Sequence, residues 1–335
     1  MSEVLNHAAA ADLESPPCPL CRGLDYELVL RGAKDRLHGK PGLFNVQRCL
    51  GCGLLATWPR PSAQRLPFYY QNVYSGAAQA AARNWQTGWI GRWVAAYRLR
   101  MISRVIGIDG GTEVLDVGCG YGEFLRRART RSGCKAFGLD MDASCAEQAQ
   151  AHAGAPCAAG DLLSHDWGEQ HFDLICFFES LEHHQDPIAA LSVAHALLKP
   201  GGHCAIEVPD FGGFWRHVFG AYWMPLLAPQ HLFHFTRQSL EQALRRAGFS
   251  VVRRRSMWFP LESTASLGLC LHALSQRMRP AGKFSWRGPR GILLALCMAL
   301  WWPLIELPSQ TILWLVGRTG HQWVLAKKIQ ATNGE

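Results

Sequence analysis

Apolar and polar positions fall into blocks along the middle of the chain, and the blocks read as strand, turn and helix in repetition. Val114-Leu115-Asp116-Val117 is an apolar run that breaks at Gly118-Cys119-Gly120-Tyr121-Gly122 and resumes with helical spacing from Glu123. The same pattern returns at Lys135–Asp140, Ala158–Leu162, Phe172–Phe178 and His203–Pro209, with helix-compatible stretches between. Five such repeats predict an α/β fold, a doubly wound sheet with its ligand at the carboxyl ends of the strands. Asp186-Pro187 reads as a helix start, and Leu197-Leu198-Lys199-Pro200-Gly201-Gly202 as a helix stop followed by the fifth strand. Phe249–Arg255 and Gln322–Lys328 are predicted as a sixth and a final strand.

The flanks have other patterns. Residues 1–17 are Ala-rich and polar and predict a flexible tail. Cys18-Pro19-Leu20-Cys21 and Cys49-Leu50-Gly51-Cys52 then place two thiol pairs around short strands at Tyr26–Leu30 and Leu43–Arg48. Two pairs of one spacing can close a tetrahedral site, so Cys18, Cys21, Cys49 and Cys52 predict a zinc ribbon over 18–66. Four protein ligands leave no open position, so the Zn2+ is expected to be structural. Residues 67–108 form an aromatic and helical connector, with Phe68–Tyr74 and the helical spacing from Trp85 to Ile106. A lid and simple packing are both open for its aromatic cluster.

Between the last two strands stands a hydrophobic insert, 258–320. Ile292–Leu307 and Ile312–Val316 are apolar with Glu306 the only charge, and Arg287, Arg290 and Arg318 flank them. The count of apolar residues suffices for a bilayer crossing. Pro303 and Pro308 predict a break into two short helices, and one crossing would separate the final strand from the sixth. A helical hairpin dipping into a membrane face through 287–318 is therefore expected, with a buried cap or a dimer surface as the alternative.

Composition changes this picture little. The 335 residues are 48% hydrophobic and 18% charged, with 13 Trp and a formal charge of +8. The basic balance fits an anionic partner without selecting one. The 12 cysteines are two pairs plus single residues in apolar segments, which excludes a secreted disulfide framework and fits a reducing cytosol. No signal peptide is expected in the first residues. Basic runs such as Arg253-Arg254-Arg255 lack the aromatic interleaving that stacks bases, which argues against a nucleic-acid partner.

The series VLDVGCGYG, FGLD, GD, FDLICFFESLEHH and LLKPGG resembles the class I S-adenosylmethionine-dependent methyltransferases over roughly residues 109–257. The resemblance implies a Rossmann-like sheet, mostly parallel with its last strand antiparallel, and S-adenosyl-L-methionine as cofactor. It implies that Gly118, Cys119, Gly120 and Gly122, with Asp116 before them, hold the methionine part. It puts Asp140 on the ribose and Asp161 with Leu162 at the adenine; Met141, Phe178 and Glu179 complete the expected cofactor-binding set. A nicotinamide enzyme is disfavoured because Glu123 stands where a third glycine would be.

The segment Gln230-His231-Leu232-Phe233-His234-Phe235 looks like the equivalent stretch of small-molecule methyltransferases that place a catalytic histidine there. On that likeness His231 is the first candidate base, followed by His183 and His234. The expected function is methyl transfer to a small-molecule or lipid-linked acceptor, a saccharide or isoprenoid, at O, C or N. The expected location is the cytoplasm, with attachment to the inner face of the cytoplasmic membrane. An RNA methyltransferase that docks through its ribbon, and a non-catalytic cofactor-binding scaffold at a membrane, remain as alternatives.

Overall fold

Strand Glu113–Val117 is buried along nearly its whole length, as expected of a central strand covered by helices on both faces. It is the sixth strand of the chain. The computed structural model describes residues 12–71, 76–168, 171–278 and 289–329. In chain order its strands are β1 Leu13–Glu14, β2 Tyr26–Ala33, β3 Phe44–Cys49, β4 Leu55–Thr57, β5 Arg60–Pro61, β6 Glu113–Val117 and β7 Lys135–Asp140, then β8 Cys157–Ala159, β9 Phe172–Phe178, β10 Leu198–Pro209, β11 Phe233–His234, β12 Phe249–Ser256 and β13 His321–Lys328. The chain divides into two units. One comprises the residues up to Tyr69, Pro209–Ser239 and Arg255–Gln322; the other comprises Tyr70–Val208, Leu240–Arg254 and the residues from Trp323.

The second unit carries the large sheet, ordered β12-β13-β10-β9-β6-β7-β8. Strands β6, β7, β8, β9 and β10 pair parallel with one another. Pairing runs antiparallel at the far edge, where Met257 N donates to His321 O and Ile329 N to Gly248 O. This is the Rossmann-like sheet with an antiparallel last strand. The order reverses at β6, which pairs with β7 on one side and β9 on the other. Such a reversal opens a crevice at the carboxyl ends of the strands.

Local chemistry sets the helix ends around that crevice. Asp142 caps the helix Ala143–Ala153 by accepting from Cys145 N, and Asp186 caps Pro187–Leu197 by accepting from Ile188 N and Ala189 N. The Pro200-Gly201-Gly202 segment differs from expectation. Strand β10 begins at Leu198, and its register shifts between Leu198 and His203, so the proline and glycines form an irregularity inside a strand and do not separate it from a helix. The connector also holds two helices, Gly76–Thr87 and Trp89–Ser103, which meet at Gly88.

The first unit carries a four-stranded antiparallel sheet, ordered β11-β4-β3-β2. Its far edge is closed by β11, which pairs Phe233 with Ala56 and His234 with Leu55. The expected tail of residues 1–17 is corrected over its described part. Leu13 and Glu14 pair with Pro61 and Arg60, and the Glu14 carboxylate accepts from Arg60 Nε at 2.8 Å. A ladder and an ion pair with a mostly buried arginine hold this segment. The insert is corrected as well. Pro289–Trp301, a π-helical turn Trp302–Glu306 and Leu307–Leu315 follow without interruption, so Gly291–Leu315 is one helix of 25 residues and not a hairpin. Pro303 sits at the start of the widened turn and Pro308 at the start of the next segment, so each missing N–H falls where the helical ladder is already changing. Residues 1–11 of the tail, Asn72–Tyr74 of the aromatic cluster, Arg287 of the flank and 330–335 of the final tail lie outside the described residues.

Candidate active site

The turn after β6 takes a backbone shape that only glycines adopt easily. Gly118, Gly120 and Gly122 have φ of +79°, +53° and +76°. The approach is close as well, since a Cβ on Gly118 would come within 2.5 Å of Ser180 Cβ. Ser180 Oγ donates to Val117 O at 2.6 Å, and this ties the ends of β6 and β9 together across the switch point.

Asp140, at the end of β7, accepts from Gly120 N at 2.8 Å and from Asp142 N at 3.0 Å. Burial raises its pKa, against the lowering effect of those two amides. A carboxylate has about four acceptor positions, so two amides leave capacity for ligand hydroxyls. Met141 beside it is 75% exposed. Asp161, partly exposed after β8, follows Gly160, whose N donates to Asp140 O at 2.9 Å; Leu162 is buried next to it. Cys119 is buried under the turn. Phe178 closes the end of β9, edge-on to Phe124.

Several acidic groups meet behind this crevice. Asp116 is buried, and its Oδ1 has no hydrogen-bond partner among the described residues. Burial is the main cause of its rise to about 7, opposed by Arg98 and aided by Asp140. Burial likewise pushes Glu182 up to about 8, and raises Glu179, where Glu182 and Glu207 add to the effect. Glu179 also holds a left-handed φ of +57°, a strained position for a residue with a side chain. The counter-charge is Arg98, on the helix Trp89–Ser103, whose Nε and Nη2 each donate at 2.8 Å to the Glu207 carboxylate. Burial works to lower the Arg98 pKa, but Glu207, then Glu179 and Asp116, more than offset it.

A pH dependence follows. Between about pH 4 and pH 7 the folded protein keeps a proton on Asp116 that the unfolded chain has released. The stabilisation from this group is complete below the unfolded pKa and is lost as pH rises through 7. The thermal midpoint of cofactor-free protein should therefore fall across that window, and Asp116→Asn should flatten the fall. A variant with an unchanged slope would assign the effect elsewhere.

Next to the acids, Tyr70 Oη lies 2.8 Å from His183 Nδ1, with His183 in the short turn Leu181–His183 that follows β9. The other two candidate histidines belong to the unit with the ribbon. His231 is buried there with Nδ1 2.9 Å from Pro225 O, an acceptor, so that nitrogen carries the proton. His234 is buried in β11. The single Thr57 hydroxyl hydrogen goes to His231 O at 2.7 Å, so Thr57 Oγ1 accepts from His234 Nε2 at 3.0 Å. Burial pushes the His234 pKa down to about 3. The bond to Thr57 also ties β11 to β4.

Residues without any motif complete the site. Gln86, on the helix Gly76–Thr87, accepts from Tyr121 N at 3.1 Å, and a Cβ on Gly120 would meet its Oε1 at 2.4 Å. Arg98 and Tyr70 likewise come from the connector. An aromatic cluster and helical periodicity mark this stretch in the sequence, and neither says which polar side chain points inward.

In the ribbon the four Cys18, Cys21, Cys49 and Cys52 sulfurs lie within 4.8 Å of one another, with Cys18–Cys52 at 3.5 Å and Cys21–Cys49 at 3.4 Å. A tetrahedral ZnS4 site with Zn–S near 2.3 Å has sulfurs about 3.8 Å apart, so the set fits that ion. Gly23 and Gly51 leave room beside Cys21, where a Cβ would come within 3.3 and 3.1 Å of its sulfur. Gly23 N also donates to that sulfur at 3.4 Å.

Comparison with known proteins agrees with this geometry. A family described as a methyltransferase domain matches residues 91–254. The chain is 34% identical to the ubiquinone biosynthesis O-methyltransferase of Coxiella burnetii over 142 residues, 40% of this chain and 59% of that protein. It is 27% identical to the protein of the same name from Aromatoleum aromaticum over 184 residues, 51% of this chain and 78% of that one. The chain thus spans about three fifths of the length of the Coxiella relative. Among solved structures, phosphoethanolamine N-methyltransferase 2 of Haemonchus contortus with S-adenosyl-L-methionine superposes with a TM-score of 0.53 at 16% identity, covering 91% of this chain and 69% of that one. A chain from the complex of the Haloferax volcanii Trm112 methyltransferase activator with a methyltransferase gives 0.51 at 17% identity, covering 76% and 96%. At those identities the superpositions speak for the fold.

Proposed function

The chain belongs to the class I S-adenosylmethionine-dependent methyltransferases, and we propose on that basis that it transfers a methyl group to a small-molecule or lipid-linked acceptor with His183 as the base. The reading is carried by one observation: the Tyr70–His183 pair stands in the same unit as the glycine turn, at the end of the strand beside it. Bound S-adenosyl-L-methionine would supply an electrophilic methyl on sulfur. Gly118–Gly122 would hold its methionine part, Asp140 its ribose, and Asp161 with Leu162 its adenine. The unpartnered Asp116 Oδ1 fits a ligand that brings a donor or a positive charge.

Direct displacement asks the protein for alignment and for removal of the acceptor's proton. With the Nδ1 proton donated to the Tyr70 oxygen, the lone pair of His183 lies on Nε2 and takes that proton. Tyr70 fixes the orientation of the ring. The curated relatives are named as O-methyltransferases of ubiquinone biosynthesis, which supports oxygen as the acceptor atom and a ring with an isoprenoid tail as the acceptor class. In the same reading the four-cysteine cluster holds a structural Zn2+.

The test uses His183→Gln. Cofactor affinity by calorimetry should stay within about 3-fold, while methyl transfer to lipid extract from a deletion strain should fall by about 10²–10⁴. Unchanged turnover would reject His183 as the base.

A further inference from the structure

The insert helix is built inside out. Its inward side carries Glu306 and Gln310, both fully buried, while Leu293, Leu296, Leu300, Leu304 and Leu315 are 56–70% exposed. The inward polar groups are bonded in place. Glu306 Oε2 accepts from Thr264 N at 2.6 Å and Thr264 Oγ1 at 3.0 Å, and also from Ser263 Oγ; Gln310 Nε2 donates to Glu262 Oε2 at 2.9 Å. Trp301 Nε1 donates to Ser263 Oγ and Trp302 Nε1 to Pro260 O. Glu262 is itself held by Trp223 Nε1 and Gly320 N. Rotating the leucines inward would break this whole seam. A row of exposed leucines along one helix face marks an interaction surface.

The rim of the face is cationic. Phe214 N donates to Arg318 O, which places Arg318 beside Arg216 and His217. Arg216 packs over the Phe211 ring and its guanidinium reaches the His217 ring at 3.1 Å. Phe214, Val218 and Val316, all exposed, lie among these charges. Across 289–318 the only carboxylate is Glu306, which is turned inward.

We propose that this leucine face and its arginine rim are a docking surface for an anionic phospholipid bilayer, with the helix lying in the interfacial plane and not crossing the membrane. Headgroup phosphates supply the negative charge the rim lacks, and acyl chains receive the leucines. A second copy packed face to face would bring no exposed acid from 289–318 to pair with the arginines. Crossing is opposed by Glu306 and Gln310, since both sit well inside the apolar stretch and are bonded to the neighbouring helix Glu262–Met278. The inference does not depend on methyl transfer, so a failed turnover assay leaves it standing.

The experiment is flotation of full-length protein with vesicles of phosphatidylcholine alone and with about one-third phosphatidylglycerol. The protein should float with the anionic vesicles and be released by alkaline carbonate. Leu296→Glu with Leu304→Glu should cut binding by about 10-fold or more, and Arg216→Glu with Arg318→Glu should abolish the preference for anionic lipid. Unchanged circular dichroism and cofactor affinity of both variants keep the comparison clean. Failure to float with either vesicle overturns the proposal, as does a concentration-dependent dimer lost in the leucine variant. Resistance to carbonate extraction overturns the in-plane placement.

Discussion

Replacing Arg98 with methionine should destabilise the protein by about 3–5 kcal/mol near neutral pH, the cost of removing one partner from a buried ion pair. Arg98 meets Glu207 through two bonds of 2.8 Å, and the two side chains are 17% and 5% exposed. Glu179 and Asp116 also draw on this one cation. Methionine fills the space but leaves the carboxylates without a counter-charge. The deficit should shrink as pH falls, because protonated carboxyl groups no longer need that charge. Adding Glu207→Gln should recover a large part of the loss. Denaturant unfolding of the two single variants and the double variant measures the coupling directly. If the single Arg98 variant lost less than about 1 kcal/mol, a surface-like value, the pair would not be the organising charge of the site.

The second large effect is expected at the cysteine cluster. Purified protein should carry close to one zinc per chain, and Cys49→Ser should lose it together with the cooperative unfolding of the ribbon. Structural zinc in small modules is worth about 10–16 kcal/mol of apparent binding free energy, far more than a short four-stranded sheet gains from its own core. The loss should reach beyond residues 18–66, because β11 lies in the same sheet and would lose its partner β4. Hydrogen exchange would show this as lost protection at Phe233 and His234 along with Val46 and Ala56. Metal content near zero in active protein would refute the assignment.

The extent to which the sequence foretold the structure follows from the range of the interactions. The strand-turn-helix unit at Gly118–Gly122 was legible because its demands are local: positive φ, with a strand before and a helix after. The carboxylates Asp140 and Asp161 were legible for the same reason, since each sits at a strand end. Arg98 and Gln86 were not, because each acts on a residue far along the chain and lies in a helix whose periodicity is ordinary; Tyr70 was marked only as one of an aromatic cluster, without its partner His183. The prolines misled in one direction. Pro303 and Pro308 read as helix breakers, but one falls in a widened turn and the other at the start of the segment after it, and the helix continues. The His-x-x-His-Phe run was legible as a histidine cluster, but not the sheet contact that His234 makes through Thr57.

The pairing of β11 with β4 also bears on how the chain is made. Thr57 and the His231 carbonyl it bonds are 174 positions apart. At roughly 5–20 residues per second, the edge of β4 waits on the order of ten to thirty-five seconds for its partner strand to leave the ribosome. An open strand edge in that interval is a template for pairing with other chains. The four cysteines are all synthesised before the wait begins. Early metal capture would therefore hold β3 and β4 in register while the edge stands open, so zinc supply during translation, and not only in the finished protein, should govern the yield of folded chain.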